Sequence, residues 1–322
     1  MKPTHVSPGA TARPLGGLGL LAALALSSPA LLGGCDELPF TPSSLIDKPR
    51  IAAVAADPPV LSLDGGSTTL TTLVVGPDGR DSSVAPDRAL DMEVRWRACN
   101  PWEPVFEPNR DCGPDNSLAL EAADGDTWQD QAQLDVAAVL ERFPPPDLVL
   151  DQIGMPPAEE PDACPYAYDH AEIPVVTEVT ISGLRLLATQ RVRVTWQPHD
   201  RKAPKLGGLV LDDLVGDASE PIPFDRGVDH DLTAWMERDS LDQTCAGNDP
   251  EQIVFEGVEV HVYVTAGELD EPNVDIAYLM DGTESAETIV WTAPTDGDAT
   301  AWLVAVDPDG GTSWERFQLR AR

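Results

Sequence analysis

Basic residues are scarce in this sequence. Lys and Arg number 21 against 55 Asp and Glu, which gives a formal net charge of −34 at neutral pH. A surface with this excess of negative charge repels phosphate backbones, so the composition argues against nucleic acid as a partner. Such a surface either keeps a protein soluble or collects cations, and we favour the first interpretation.

The sequence motifs of common catalytic sites are also missing. The chain contains no G-x-S-x-G, H-E-x-x-H, P-loop or G-x-G-x-x-G pattern. Carboxylate pairs carry little weight as glycosidase evidence, because 55 acidic residues form close pairs by chance. The sequence therefore predicts a protein that is not an enzyme and has no catalytic residues.

Long apolar runs are confined to the N-terminus. Residues 15–32 are nearly all Leu, Ala, Gly, Ser and Pro, and they follow Lys2 and Arg13. A basic start before a short apolar stretch is typical of an exported precursor. Three glycines and Pro29 interrupt the stretch, so it makes a poor permanent membrane span.

The end of this stretch, Leu32-Gly33-Gly34-Cys35, resembles the lipobox of bacterial lipoproteins. The resemblance implies a signal peptide over residues 1–34, cleavage before Cys35, and acyl chains such as palmitate on Cys35. It also implies a lipid anchor in the bacterial cell envelope, at the outer or the inner membrane. The alternative is an ordinary secretory peptide with an incidental cysteine. Without residues 1–34 the chain has 19 Lys and Arg, 55 Asp and Glu, and a net charge of −36.

Cysteines are few, and four remain if Cys35 carries lipid: Cys99, Cys112, Cys164 and Cys245. An even number in an exported protein predicts two disulfides, and the sequence allows three pairings. Cys99 with Cys112 is the favoured pair because the two flank a short Pro-rich loop, and Cys164 with Cys245 then follows. A zinc site would need closely spaced Cys or His pairs, which are absent.

Residues 35–47 are rich in Pro, Ser and acid and predict a tether. The pattern then changes to short β-branched and alternating segments separated by turn residues. One segment begins near Ile51 and ends at Asp57-Pro58-Pro59. The next, "STTLTTLVV", ends at the turn "GPDG", and "LDMEVRWRAC" alternates strictly, with Trp96 on its apolar face. This order resembles the opening of an immunoglobulin-like (Ig-like) sandwich, although Trp96 would suit the core of any β-sandwich.

Residues 98–172 interrupt the strand rhythm. They include a stretch in which Leu134, Val136, Ala137, Val139 and Leu140 fit a short amphipathic helix that three prolines end. We interpret this segment as a long, irregular, partly helical, disulfide-stapled insertion. Alternation returns over 172–196 and predicts the closing hairpin of a first domain, residues 48–200.

The basic stretch "HDRKAPKLG" marks the predicted boundary to a second domain, residues 201–322. There Val258, Val260, Val262 and Val264 face one way, and "ATAWLVAV", "DPDGG" and "TSWERFQLR" predict a terminal hairpin. Residues 255–322 resemble the Ig-like repeats of PKD or cadherin type found on bacterial surfaces. The predicted fold class is all-β, with two tandem Ig-like β-sandwiches.

Two kinds of ligand site follow from these patterns. Asp307 and Asp309 in the terminal turn are candidate calcium ligands, although Asp-Pro-Asp-Gly also forms hairpin turns without an ion. No other cofactor is expected. Trp102 and Trp128 lie outside the predicted strands and are candidate ligand-contact aromatics, with packing beside the cysteines as the alternative.

The sequence as a whole predicts a lipid-anchored envelope protein with a non-catalytic role in binding, adhesion or scaffolding. Its expected partners are the membrane, through the anchor, and an envelope protein or glycan. The alternative function is a carbohydrate-binding accessory protein or an envelope hydrolase.

Overall fold

The structure is a computed structural model. It describes residues 44–83, 91–102, 111–121, 131–146, 170–195, 201–216, 218–245, 253–278, 284–286 and 288–322.

Two pairs of β-sheets make up the described chain. The first pair is built from β1 (Arg50–Asp57), β2 (Val60–Ser62), β3 (Ser67–Val75), β4 (Met92–Cys99), β5 (Ser117–Ala119), β6 (Gln131–Asp135), β7 (His170–Ile181) and β8 (Leu184–Thr195), with helix α1 (Val136–Arg142) after β6. Its three-stranded sheet has the order β1-β3-β6 and its five-stranded sheet the order β2-β8-β7-β4-β5.

The second pair follows in the chain. Its strands are β9 (Leu206–Leu211), β10 (Leu214–Gly216), β11 (Ile222–Phe224), β12 (Asp229–Met236), β13 (Gln243–Cys245), β14 (Ile253–Phe255), β15 (Val258–Val264), β16 (Glu268–Leu269), β17 (Asn273–Tyr278), β18 (Glu284–Ala286), β19 (Ile289–Thr292), β20 (Ala299–Val306) and β21 (Thr312–Ala321). The two sheets have the orders β10-β9-β12-β19-β16 and β11-β21-β20-β15-β17-β18, and β13 and β14 form a separate hairpin.

Alternation explains most of these strands, because one face of each sheet is buried. In β15 the four predicted valines are at most 1% exposed and the residues between them are more exposed. In the first pair, the core lies between the sheets and includes Leu70 from β3, Trp96 from β4 and Val192 from β8. The predominantly β architecture predicted from the sequence is therefore confirmed.

The predicted helix is shorter than its apolar pattern. It begins at Val136, where Asp135 caps it by accepting a hydrogen bond from the Ala137 N–H, and it ends at Arg142 before the prolines. Leu134 belongs instead to β6, where it pairs with Thr68 of β3. Ladder pairing with β3 therefore decides the conformation of Leu134, although its spacing also suits a helix.

β20 departs from simple alternation. Ala301, Leu303 and Ala305 face the core of the second sheet pair. Trp302 and Val304 on the opposite face are at most 1% exposed, because they pack against Leu73 and Val75 of the first pair. One strand therefore contributes to two cores.

Contacts of this kind make residues 41–322 one compact unit. Even part of the predicted tether belongs to it. Ile46 is 1% exposed, its N–H donates to the Val264 carbonyl at 2.8 Å, and the Val264 N–H donates to the Ser44 carbonyl at 2.9 Å. The division into domains at residues 200 and 201, and the extent of the insertion, stay predictions.

Candidate functional site

A cluster of buried charges lies where the two sheet pairs meet. Its first component is the turn between β20 and β21. The Gly311 N–H donates to Asp307 Oδ1 at 2.7 Å, and the Asp307 N–H donates to the Gly311 carbonyl at 3.0 Å. A Cβ at position 311 would meet Asp307 Oδ2 and lie 3.0 Å from the Ala203 Cα, so a side chain there would displace the Asp307 carboxylate from this turn.

The turn contacts the first sheet pair through Asp309 and Gly310. Asp309 is 4% exposed, and its carboxylate pairs with the guanidinium of Arg193 on β8 and with Arg201 Nε at 3.2 Å. Gln190 on β8 also donates to the Gly310 carbonyl at 2.9 Å. The predicted hairpin therefore forms, and its tip connects the two sheet pairs.

Arg201 holds the second part of the cluster. It is 9% exposed, and its Nη1 lies 3.2 Å from Glu256 Oε1 and 3.8 Å from Asp242 Oδ2. The Lys202 N–H also donates to Asp242 at 3.2 Å. The basic stretch that the sequence places at a domain boundary thus supplies a buried guanidinium to an acidic cluster.

Burial and crowding of carboxylates shift the titration of this cluster. Burial, together with the charges of Asp309 and Asp242, raises the pKa of Glu256 to about 7. Burial also raises the pKa of Asp307 to about 7, against the opposing effect of the Gly311 hydrogen bond. The pKa of Asp242 is raised too, again mainly by burial.

These contacts bear on the predicted calcium ligands. Asp309 faces two guanidinium groups, which repel a cation, and Asp307 holds the backbone of its own turn. The part of the chain that the structure describes contains no group of three or more His, Cys, Asp or Glu suited to a metal ion. Calcium binding at Asp307 and Asp309 stays a prediction.

A second polar contact between the sheet pairs is fully buried. Trp302 Nε1 on β20 donates to Asp81 Oδ2 at 2.9 Å, and Arg316 Nε lies 3.6 Å from the same oxygen. Asp81 and Trp302 are both 0% exposed. A buried carboxylate needs such donors, so this contact fixes the position of β20 against the loop after β3.

The junction also borders an open cleft of about 400 Å³. Its described walls combine Glu172 and Arg191 of the first sheet pair with the turn Asp307–Gly310 of the second. Arg191 Nη1 pairs with Glu172 Oε2 at 2.9 Å, so these wall charges are matched.

The structure tests the cysteine predictions in part. Cys99 and Cys112 form a disulfide with 5.8 Å between their Cα atoms, which confirms that pair. Cys245 is also disulfide-bonded. Its expected partner Cys164, and the lipid candidate Cys35, lie outside the described residues.

The two candidate aromatics have different outcomes. Trp102 is half-buried, packs against the core of the first sheet pair, and donates its Nε1–H to the Phe143 carbonyl at 2.9 Å. These contacts give it a packing role. Trp128 lies outside the described residues. Trp235 on β12 is 37% exposed and is the most exposed of the described tryptophans.

The described histidines have polar partners of their own. Both ring nitrogens of His230 face oxygens, Asp212 Oδ2 at 2.8 Å and the Asp225 carbonyl at 2.9 Å. His261 Nδ1 lies 2.8 Å from Asn273 Oδ1.

No helix among the described residues is both long enough and apolar enough to span a membrane.

No family model matches the chain. No curated protein matches it in sequence.

Solved structures with some likeness include modules of Ig type and an adhesin. Chimeric titin Z1Z2 is 9% identical, with 85% of this chain and 96% of that chain covered and a TM-score of 0.20. The Ig1-2 module of the Drosophila receptor protein tyrosine phosphatase DLAR is 9% identical, with 85% and 99% covered and a TM-score of 0.21.

The adhesin InvE of Yersinia pseudotuberculosis is 10% identical, with 84% of this chain covered and a TM-score of 0.22, and the match spans 60% of that chain. At these TM-scores the likenesses carry no argument about fold or function. The assignment to a β class depends on the strands and cores described above.

Proposed function

We propose that this protein is a lipoprotein of the bacterial cell envelope, anchored through Cys35, with a non-catalytic role in binding, adhesion or scaffolding. The pattern of residues 1–35 supports export and a location in the cell envelope. The two sheet pairs are tandem Ig-like sandwiches in this proposal, and the first carries the insertion at about 98–172. Its partner is an envelope protein or a glycan, since the net charge of −34 disfavours nucleic acid.

The observation that carries this function is the burial of β20 on both faces. Leu303 faces one core and Trp302 the other, and both are 0% exposed. A chain whose two sheet pairs share a strand has no free hinge between them. Rigid, joined β-sheets suit a protein that holds binding surfaces at a fixed distance from a membrane. The rings of His230 and His261 are engaged in local contacts.

Anchoring is tested by replacing Cys35 with Ser. Without the sulfur no thioether to a lipid can form, so the variant should move from the membrane fraction to the soluble fraction of the envelope. Ser43→Ala, in the predicted tether, is the matched control and should stay with the membrane. If Cys35→Ser fractionates like the parent chain, anchoring through that sulfur is excluded.

A binding role is tested in the envelope by photo-crosslinking. A photoreactive side chain is placed at Arg95 on β4, whose side chain is 67% exposed, and separately at Val215 on β10, which is 73% exposed. The proposal predicts a discrete adduct with an envelope component from at least one position. Failure to form any adduct, combined with hydrolysis of envelope polymers by the purified chain, would favour the hydrolase alternative.

Carbohydrate binding is a second candidate, and Trp235 favours it. The indole lies over the backbone of Gly207 and Gly208, where a Cβ at Gly207 would meet the ring at 2.1 Å. An exposed indole held flat on a sheet suits stacking against the apolar face of a sugar. Trp235→Leu should abolish oligosaccharide binding detected by calorimetry, whereas Trp314→Leu should not. Equal binding by both variants would remove this candidate.

A further inference from the structure

His230 is an unusually placed histidine on β12. It is 6% exposed and packs against two aromatic rings, Phe224 at 6.2 Å and Trp291 at 5.9 Å between ring centroids. Its Nδ1 lies 2.8 Å from Asp212 Oδ2 and its Nε2 lies 2.9 Å from the Asp225 carbonyl. When Asp212 is ionised, both partner oxygens can accept a hydrogen bond and neither can donate one.

This geometry selects one protonation state of the ring. A neutral imidazole has one N–H donor and one lone pair, so one of its nitrogens would point a lone pair at an oxygen. The imidazolium has two donors and satisfies both contacts. The buried ring therefore fits its site as a cation, with the Asp212 carboxylate as the counter-charge.

Asp212 itself holds a tight turn. Asp212 and Asp213 connect β9 to β10, in which Leu211 pairs with Leu214. The φ angle of Asp212 is +53°, a left-handed conformation that few residues other than Gly, Asn and Asp adopt readily. Asp212 Oδ1 accepts a hydrogen bond from the Asp231 N–H at 3.0 Å. The Asp212 N–H donates to the Asp231 carbonyl at 2.7 Å.

The charges around the ring are consistent with this assignment. Burial opposes the cation, but the hydrogen bonds that the ring donates to the Asp225 carbonyl and to Asp212, together with the charges of both residues, raise the pKa of His230 above its usual value. The hydrogen bond from His230 lowers the pKa of Asp212, and the positive charge of Arg322 adds to that effect. The neighbouring Asp229 accepts a hydrogen bond from Thr292.

We propose that His230 is a proton-dependent lock on the β9–β10 hairpin: the imidazolium holds the Asp212 turn, and loss of its proton releases that turn. When the ring is neutral, one of its two contacts becomes a repulsion between lone pairs. The Asp212 carboxylate then loses its charged partner, and the turn is held to β12 only by two hydrogen bonds with Asp231, one accepted by Asp212 Oδ1 and one donated by the Asp212 N–H.

The hairpin carries Val215, the most exposed large aliphatic residue of the described chain. Val215 is 73% exposed and Leu214 is 40% exposed, and β10 pairs with β9 alone at one edge of its sheet. Release of the turn therefore changes the order of an exposed apolar sheet edge. A group whose pKa is raised on folding stabilises the fold fully below its ordinary value of 6.5, and this contribution is lost as the pH rises through the folded pKa.

The direct test is an NMR titration of the full chain with nitrogen-labelled histidine, with the His230 signals assigned through a His230→Gln variant. We expect both His230 nitrogens to be protonated at pH 6.5 and the ring to titrate at a midpoint above the ordinary histidine value of 6.5. A neutral His230 with a single protonated nitrogen at pH 6.5 would overturn the proposal, and the titration itself is measured on the unsubstituted chain.

A matched pair of variants tests the link to the turn. Asp212→Asn removes the charge but keeps a side-chain oxygen for the Asp231 N–H, so it should lower the His230 midpoint. Asp213→Asn, the adjacent exposed residue, should leave that midpoint unchanged. Equal midpoints in both variants and the parent chain would exclude Asp212 as the counter-charge.

Hydrogen exchange tests the release itself. After correction for the intrinsic pH dependence of exchange, the amides of Leu211 and Leu214, which pair with each other across the turn, should lose protection as the pH rises past the His230 midpoint. Loss at the same midpoint supports the lock. Constant protection across that pH range would overturn the lock, even if His230 titrates as expected.

Discussion

Trp302 and Asp81 show how a single hydrogen bond connects residues that lie 221 positions apart in the chain. The indole fills space between the sheet pairs, and its N–H satisfies a carboxylate that is 0% exposed. Strand periodicity predicts that Trp302 is at least half-buried. It does not reveal the partner, because an acidic residue in a loop carries no pattern that points to a distant tryptophan.

Trp302→Phe should therefore destabilise the protein by about 2–4 kcal/mol, because it removes the donor to a buried carboxylate and leaves a small cavity. Urea denaturation measures the free energy of unfolding. Trp314→Phe is the control, since Trp314 is only partly buried beside the same cluster, and a loss below about 1 kcal/mol is expected. Similar losses in the two variants would show that the Asp81 contact contributes little.

At the scale of elements, the local sequence predicts whether a segment is a strand or a helix better than it predicts where that element begins and ends. Turn residues and period-two alternation place β3, β4 and the β20–β21 hairpin, because each depends on neighbours in sequence. The apolar spacing wrongly predicts a helix at Leu134, because the pairing of Leu134 with Thr68 is a contact between distant parts of the chain. The double burial of β20 escapes prediction for the same reason.

The start of α1 depends on one side chain. Asp135→Ala should destabilise the protein by about 1 kcal/mol, because the Ala137 N–H loses its acceptor at 2.8 Å. Asp135→Ser keeps an oxygen acceptor and should retain most of that stability. Chemical denaturation of both variants measures the difference, and equal stabilities would mean that the cap does not stabilise the helix start.

At the scale of the molecule, the buried cluster at the junction should make stability depend on pH. Glu256 and Asp307 have pKa values of about 7 against ordinary values of 4.5 and 3.8. The folded state therefore holds protons that the unfolded chain releases. The protons held by Glu256 and Asp307 contribute fully to the free energy of unfolding below about pH 4, and this contribution is lost as the pH rises through 7.

The double variant Glu256→Gln and Asp307→Asn mimics the protonated cluster. Relative to the parent chain, its free energy of unfolding should increase by roughly 2–4 kcal/mol in total as the pH rises from 4 to 8. Thermal and urea unfolding over this range measure the gain, with the exposed substitution Glu220→Gln as the control. A gain that is constant with pH would contradict the assignment, and a calcium-dependent rise in Tm of the parent alone would favour the calcium site.

The sharing of β20 by two cores is the claim on which the proposed rigid scaffold depends. Differential scanning calorimetry of the full chain tests it directly. A strand shared by both cores predicts one transition whose calorimetric and van 't Hoff enthalpies agree, and Trp302→Phe should lower its Tm without splitting it. Two separate transitions, of which only one responds to Trp302→Phe, would show that the sheet pairs fold independently and that β20 does not join them into one rigid unit.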